Sequence, residues 1–233
     1  MKKTEVIALL KANRNERGIS NWKRMGLDAG GLKSYGIGLS TLRKLAKQIG
    51  RDHKLAQQLW KSDNHDVKIV GLLIDEPKKM TREQAEAQVE EVGSGLLSHV
   101  FSSCDATLPK TDFAFDLAKD WIDSKDAQRR SCAWGLIYDL SKNNRRPELT
   151  EKFFLDCIKR IRADFDTEIE DVRLSMGGAL IGIGKRTKKL NQAAVKYARK
   201  ISPIEYDAGD TNCQPLDIMK HLTSDYLKQK LDL

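Results

Sequence analysis

The stretch D-V-R-L-S-M-G-G-A-L-I-G-I-G-K-R-T-K-K-L-N, residues 171–191, decides the architecture. With Ile169 just before it, Val172, Met176, Ala179, Leu180 and Ile183 recur at steps of three and four, the period of a helix with one buried side. The helix expected over residues 168–186 contains Gly177, Gly178, Gly182 and Gly184. Each glycine there is worth about 0.8–1 kcal/mol less than alanine, so something must offset it. Close helix–helix packing is one explanation, and access for a bulky ligand to the backbone is the other.

Working outward, the same period returns along the whole chain. Leu42, Leu45, Ala46 and Ile49 give a helix capped by Ser40 or Thr41 and closed by Gly50. Leu55, Ala56 and Leu59 follow Asp52, and Val67, Val70 and Ile74 follow Asn64. Thr81 opens a helix over 81–92, with Gln84 placed to complete a capping box. Phe113, Leu117 and Trp121 form one stripe, Cys132, Leu136 and Leu140 the next, and Phe154, Cys157, Ile158 and Ile161 another. No segment alternates with a period of two, so β-structure is expected to be minor or absent. Helices over 112–123 and 126–141, then over 147–162 and 168–186, make two successive pairs about three dozen residues apart, close to the HEAT-type spacing. The expected fold is an all-α, HEAT-like helical-repeat solenoid, with residues 1–233 as one domain.

Composition narrows the function. The 233 residues carry 41 Lys+Arg and 33 Asp+Glu, a net charge of +8, with 40% hydrophobic residues. Met176–Gly184, the longest nearly uncharged apolar run, has nine residues, far short of a membrane span. Val6–Leu10 is too short for a secretory core, and a soluble, cytoplasmic, monomeric protein without a membrane partner is expected. Cys104, Cys132, Cys157 and Cys213 are widely spaced with no C-x-x-C pair, and the four histidines are not at metal-ligand spacings. Neither a disulfide framework, nor a metal, nor a cofactor is expected, and Cys132 and Cys157 read as core residues.

Charge is uneven along the chain. Residues 1–61 have a net charge of +10, residues 62–125 of −6, residues 126–183 of zero and residues 184–233 of +4. A curved solenoid with basic ends would grip a polyanion from two sides; the plainer account is a set of solvated helix faces. Lys185, Arg186, Lys188 and Lys189 place four cations at and beyond a helix C-terminus. There they offset the helix dipole or neutralise backbone phosphates. Arg129 and Arg130 stand near a helix start, where cations oppose the dipole, so an acidic neighbour such as Asp126 or a phosphate is needed to explain them. Trp134 and Tyr138, one turn apart, read as core.

Four strings in order, Y-G-I-G-L-S-T-L-R-K-L-A-K-Q-I-G (35–50), L-A-Q-Q-L-W (55–60), R-R-S-C-A (129–133) and residues 171–191, resemble the DNA alkylation repair family. This is the AlkD-like group of HEAT-repeat DNA glycosylases, and the resemblance runs from Tyr35 to Ile201. It implies a C-shaped solenoid whose concave basic groove holds double-stranded DNA, alkylated or otherwise damaged. It also implies excision of cationic N3- or N7-alkylated purines by a Trp, an Asp four residues later and a second Trp. An aspartate near the sugar stabilises the oxocarbenium charge that develops as the glycosidic bond breaks.

By the same resemblance, Leu96 or Leu97 stands at the Trp place, Val100 or Phe101 at the Asp place and Gly178 at the second aromatic place. The family's basic positions are matched at Arg130 and Lys185. Arg43, Lys44, Lys47, Arg129, Arg130, Arg173, Lys185, Arg186, Lys188 and Lys189 are therefore the candidates for phosphate contact, and no catalytic residue is assigned. Asp105 reads as a turn or cap residue and His99 as a surface histidine. Two alternatives stand beside a DNA-binding protein without the usual glycosylase pair. One is an active glycosylase with a differently placed carboxylate; the other is a solenoid that binds a protein partner.

Overall fold

The computed structural model describes residues 1–28, 31–93, 95–207 and 214–233, so Cys213 and the middle of the 202–216 segment lie outside the described residues. The chain divides into two compact units, the first over Met1–Asp112 and the second beginning at Phe113. Among the described residues both units are helical, and the β-pairing is limited to two isolated bridges, Lys33 with Asn64 and Ile204 with Leu216.

The first unit contains α1 (Lys3–Ala12), α2 (Glu16–Arg24), α3 (Leu39–Ile49), α4 (His53–Trp60), α5 (His65–Ile74), α6 (Arg82–Val89) and α7 (Leu96–Ser102). Every residue of α5 is buried, and α1, α3, α4 and α7 pack around it. Local side chains set the starts: Asp52 accepts from the Leu55 amide at 2.9 Å and Asn64 from the Val67 amide at 3.2 Å. Two expected caps differ. Gly38, not Ser40 or Thr41, precedes α3 and makes no side-chain cap. Thr81 does accept from the Gln84 amide, but the Gln84 side chain donates to Asp75 at 2.8 Å instead of closing a capping box.

The reason is Asp75, a buried carboxylate that needs donors. His53 Nδ1 lies 2.7 Å from one of its oxygens, Gln57 Nε2 donates to the other at 3.0 Å, and the Glu76 amide donates at 2.7 Å. Asp66, also buried, accepts from the Ser34 hydroxyl and from the amides of Tyr35 and Ile37, and so ties the segment before α3 to α5.

His65 is buried, with its ring centroid 4.5 Å from that of Trp22. Burial, opposed by the Asp66 charge, lowers its pKa from 6.5 to about 4. Between these values the unfolded chain takes up the proton and the folded chain does not. The stabilisation is therefore complete above pH 6.5 and is lost as the pH falls toward 4. Urea unfolding across this window is expected to show a loss of roughly 2–3 kcal/mol, much reduced in His65→Phe.

The second unit contains α8 (Ala114–Ile122), α9 (Ala127–Leu140), α10 (Glu151–Asp164), α11 (Glu170–Gly184), α12 (Lys188–Ile201), α13 (Ile218–Leu222) and α14 (Asp225–Leu231). The expected pairs are present: α8 packs on α9 and α10 on α11, while α9 and α11 lie against each other and carry most of the core. Trp134, Leu136, Phe154, Met176 and Leu180 are fully or almost fully buried there. Each such side chain contributes about 1.5–3 kcal/mol. Ile169 departs from its expected place: it is the residue before α11 and is 55% exposed. Three of the four glycines in α11 answer to packing. A Cβ at Gly177 would meet Ile204 and Leu216, one at Gly182 would lie 2.9 Å from the Tyr138 ring, and one at Gly184 would meet Leu222 and Ala194. Gly178 differs, because a Cβ there meets nothing.

Candidate functional site

In the first unit, α3 presents Arg43, Lys44 and Lys47. Lys44 and Lys47, three residues apart, are exposed on one side of the helix with no acidic partner among the described residues. Arg43 is half-buried, and its outer nitrogen lies 3.7 Å from the Asp105 carboxylate, too far for a hydrogen bond. Its Nε is buried without a hydrogen-bond partner among the described residues. Cys104 and Asp105 both have positive φ, 62° and 63°, and form the turn after α7. Asp105 is thus a turn residue, and His99 is exposed, with Nδ1 3.4 Å from the Ser103 hydroxyl.

In the second unit, Arg129 and Arg130 lie in the first turn of α9, which Asp126 caps by accepting from the Gln128 amide at 2.8 Å. Arg129 is 4.0 Å from Asp126 and has its guanidinium 5.6 Å from the Trp121 ring centroid. Arg130 finds a different acid. Its Nε and one terminal nitrogen donate to the two Glu168 oxygens at 2.6 and 2.7 Å, and its other terminal nitrogen donates to the carbonyls of Ser124 and Lys125. With side chains 20% and 9% exposed, the pair closes a fork between the start of α9 and the approach to α11. Arg173, half-buried in α11, has no such partner among the described residues.

The cations after α11 also separate. Arg186 donates to the carbonyls of Ser141 and Asn143 and lies 4.5 Å from the Phe154 ring centroid, so it caps the end of α9. Lys188 donates to the Asp232 carbonyl, and Lys189 pairs with Glu151 at 2.8 Å. Lys185, the C-cap of α11, is half-buried with no side-chain partner among the described residues. Burial first, then Lys142 and Lys230, lowers its pKa below the ordinary lysine value. Lys142 and Lys230 escape a reading of the 183–191 string because they enter from other helices. The signal available for Lys142 is positional, since it follows the end of α9 much as Lys185 follows the end of α11.

The positions where the family resemblance implies catalysis hold no carboxylate. Leu97, Val100 and Phe101 are buried in the first unit, and Leu96 is exposed at the start of α7. Gly178 faces open space on α11. Two turns earlier on the same helix, Asp171 is half-buried with no side-chain partner among the described residues, and burial raises its pKa. Cys132 and Cys157 are core residues, and burial pushes the Cys157 thiol up to about 12. No group of three or more His, Cys, Asp or Glu is arranged to hold a metal among the described residues. No helix is long and apolar enough to cross a membrane among them.

Comparison with known proteins places these features in context. A family model described as DNA alkylation repair enzyme matches residues 6–205. Two uncharacterized proteins, Lin0241 of Listeria innocua and Lmo0209 of Listeria monocytogenes, are each 29% identical over 196 residues, spanning 82% of this chain and 83% of theirs. A solved structure superimposes with a TM-score of 0.78 at 21% identity, over 99% of this chain and 96% of that one. It is described as belonging to a new family of proteins related to the HEAT-like repeat DNA glycosylases with affinity for branched DNA structures.

Proposed function

Since this chain belongs to the DNA alkylation repair enzyme family, we propose that it is a DNA-binding protein that holds double-stranded DNA by its backbone phosphates, without base excision by a Trp/Asp pair. The observation that carries the reading is the cations with no acidic partner among the described residues: Lys44 and Lys47 on α3 in the first unit, and Arg173 on α11 and Lys185, its C-cap, in the second. An unpaired surface cation is a ready phosphate contact because nothing inside the protein competes for it. Lys188 and Lys189 join the set. Exposed pairs such as Lys189 with Glu151 are worth only about 0–1 kcal/mol, so a phosphate can displace the carboxylate. Arg43 reaches phosphate by giving up the long contact to Asp105, whereas Arg129 is held by Asp126 and the Trp121 ring and would have to leave both. Arg130 and Arg186 are engaged within the second unit instead, by Glu168 and by the carbonyls of Ser141 and Asn143 that follow α9. Contacts of this kind hold a nucleic-acid backbone without reading its sequence.

A salt titration of binding to a linear duplex and to a four-way junction tests the reading. Expected is a linear fall of log affinity with log salt, with a slope smaller by about two after Lys44→Gln/Lys47→Gln. A solenoid that takes a protein partner would leave both DNAs unbound. Binding to the junction would extend to this chain the affinity for branched DNA structures described for the superimposed structure.

Asp171 favours a second reading, an alkylpurine glycosylase with a relocated carboxylate. It combines a pKa raised by burial with a carboxylate that has no side-chain partner among the described residues, on the helix that carries the open Gly178. Release of 7-methylguanine or 3-methyladenine from methylated DNA, abolished by Asp171→Asn or Asp105→Asn, would establish it. No release is the expected result.

A further inference from the structure

The ends of α9 and α11 are joined in the second unit by Arg186, which follows α11 and donates to the Ser141 carbonyl at the end of α9. Three lysines gather beside them. Lys142 sits just past α9, with its ammonium 4.0 Å from the Tyr138 ring centroid and paired with Asp139. Lys185 is the C-cap of α11. Lys230, from the last turn of α14, donates to the Lys185 carbonyl at 3.2 Å.

Helix capping explains part of this arrangement. Lys230 and Arg186 satisfy carbonyls that the helix ends leave open, and cations are favoured at that end of the dipole. It does not explain Lys185. That ammonium is half-buried, faces two like charges and has no hydrogen-bond or ion-pair partner among the described residues. His221 is a further neighbour, whose pKa is lowered by burial first and then by Lys185, with Asp217 opposing. Asp139 is the carboxylate paired within the group, and it is held by Lys142. Lys185 is therefore left, among the described residues, with unused donors and two like charges facing it. A phosphate supplies what is missing, because its oxygens accept from several ammonium groups at once and its charge offsets their mutual repulsion.

We infer that Lys142, Lys185 and Lys230 form a phosphate-binding site at the joined ends of α9 and α11, occupied by a backbone phosphate of DNA and completed by the C-terminal helix α14. The inference rests on the DNA-binding reading and adds to it Lys142, Lys230 and the helix that carries Lys230. Gly182 belongs to the construction, since a side chain there would push against Tyr138, over whose ring Lys142 lies.

The test is duplex affinity as a function of salt for the full chain, for Lys185→Gln, for Lys142→Gln/Lys230→Gln and for Lys159→Gln, a lysine of α10 paired with Asp156 away from the cluster. Expected are slopes reduced by about one for Lys185→Gln and about two for the double variant, with affinity down about 5- to 10-fold and 20- to 50-fold at moderate salt. Lys159→Gln should match the parent. A parallel titration follows the Lys185 side chain by NMR with duplex and with inorganic phosphate as probes. Either anion, if bound there, should raise its pKa, because it favours the charged form.

If the parent binds duplex with a steep salt dependence and all variants match it, the site is overturned while the DNA-binding reading stands. If Lys185 responds to inorganic phosphate and not to duplex, the site takes free phosphate and its assignment to DNA fails. If the parent binds no DNA at any salt concentration, the reading itself fails and the inference falls with it.

Discussion

Arg130→Ala is expected to lower the unfolding free energy by about 3 kcal/mol, with a much smaller direct effect on DNA contact. The substitution leaves the Glu168 carboxylate, 9% exposed, without either guanidinium donor, and it releases the carbonyls of Ser124 and Lys125. Removing one partner of a largely buried ion pair costs about 3–5 kcal/mol, because the remaining charge stays desolvated. Partial exposure of Arg130 places this case at the lower end of that range. Replacing both members, as in Arg130→Met/Glu168→Leu, should recover most of the loss, since no unpaired charge is left behind. Urea unfolding of the single and double variants measures both effects. Were Arg130 chiefly a phosphate ligand, the single variant would melt like the parent and lose its DNA affinity instead.

Gly18→Ala is expected to be at least as damaging, by about 3 kcal/mol or more. A Cβ at Gly18 would lie 2.8 Å from both the carbonyl carbon and the Cα of Gly36, and nearer still to the carbonyl oxygen. The obstacle is backbone, so no rotamer change relieves it. Gly36 cannot retreat easily. Its φ of 69° suits glycine, its amide donates to the Ser34 hydroxyl at 2.9 Å, and Tyr35 and Ile37 on either side donate to the buried Asp66. The contact therefore joins α2 to the segment that Asp66 holds against α5. Thermal unfolding of Gly18→Ala should show a midpoint lower by several degrees, whereas Gly178→Ala, which meets open space, should be neutral or slightly stabilising.

Much of the fold was legible in the chain because helices are local objects. The apolar period located α3, α4, α5, α8, α9, α10 and α11 to within a few residues, and Asp52 and Asn64 marked starts through bonds that span three residues. Two of the expectations that failed involve a competitor outside the local stretch. Gln84 has the right spacing for a capping box, but Asp75 offers a buried charge that outweighs an exposed backbone amide. Asp126 is the near carboxylate for Arg129 and Arg130, yet Glu168, across the fold, provides the two-oxygen fork that fits a guanidinium. The four cations of residues 185–189 look equivalent as a string. In the folded chain Arg186, Lys188 and Lys189 have partners, and Lys185 has none among the described residues.

The amino-acid sequence on its own determined that the described residues fold as helices, where several of those helices lie and which family the chain belongs to, because hydrophobic period, capping chemistry and motif order are all written within short spans. The tertiary structure alone decided which basic residues are still available. Whether a cation meets a carboxylate, a carbonyl or another lysine depends on pairs such as Arg130 with Glu168, Arg186 with Ser141 and Lys230 with Lys185, which only folding brings together.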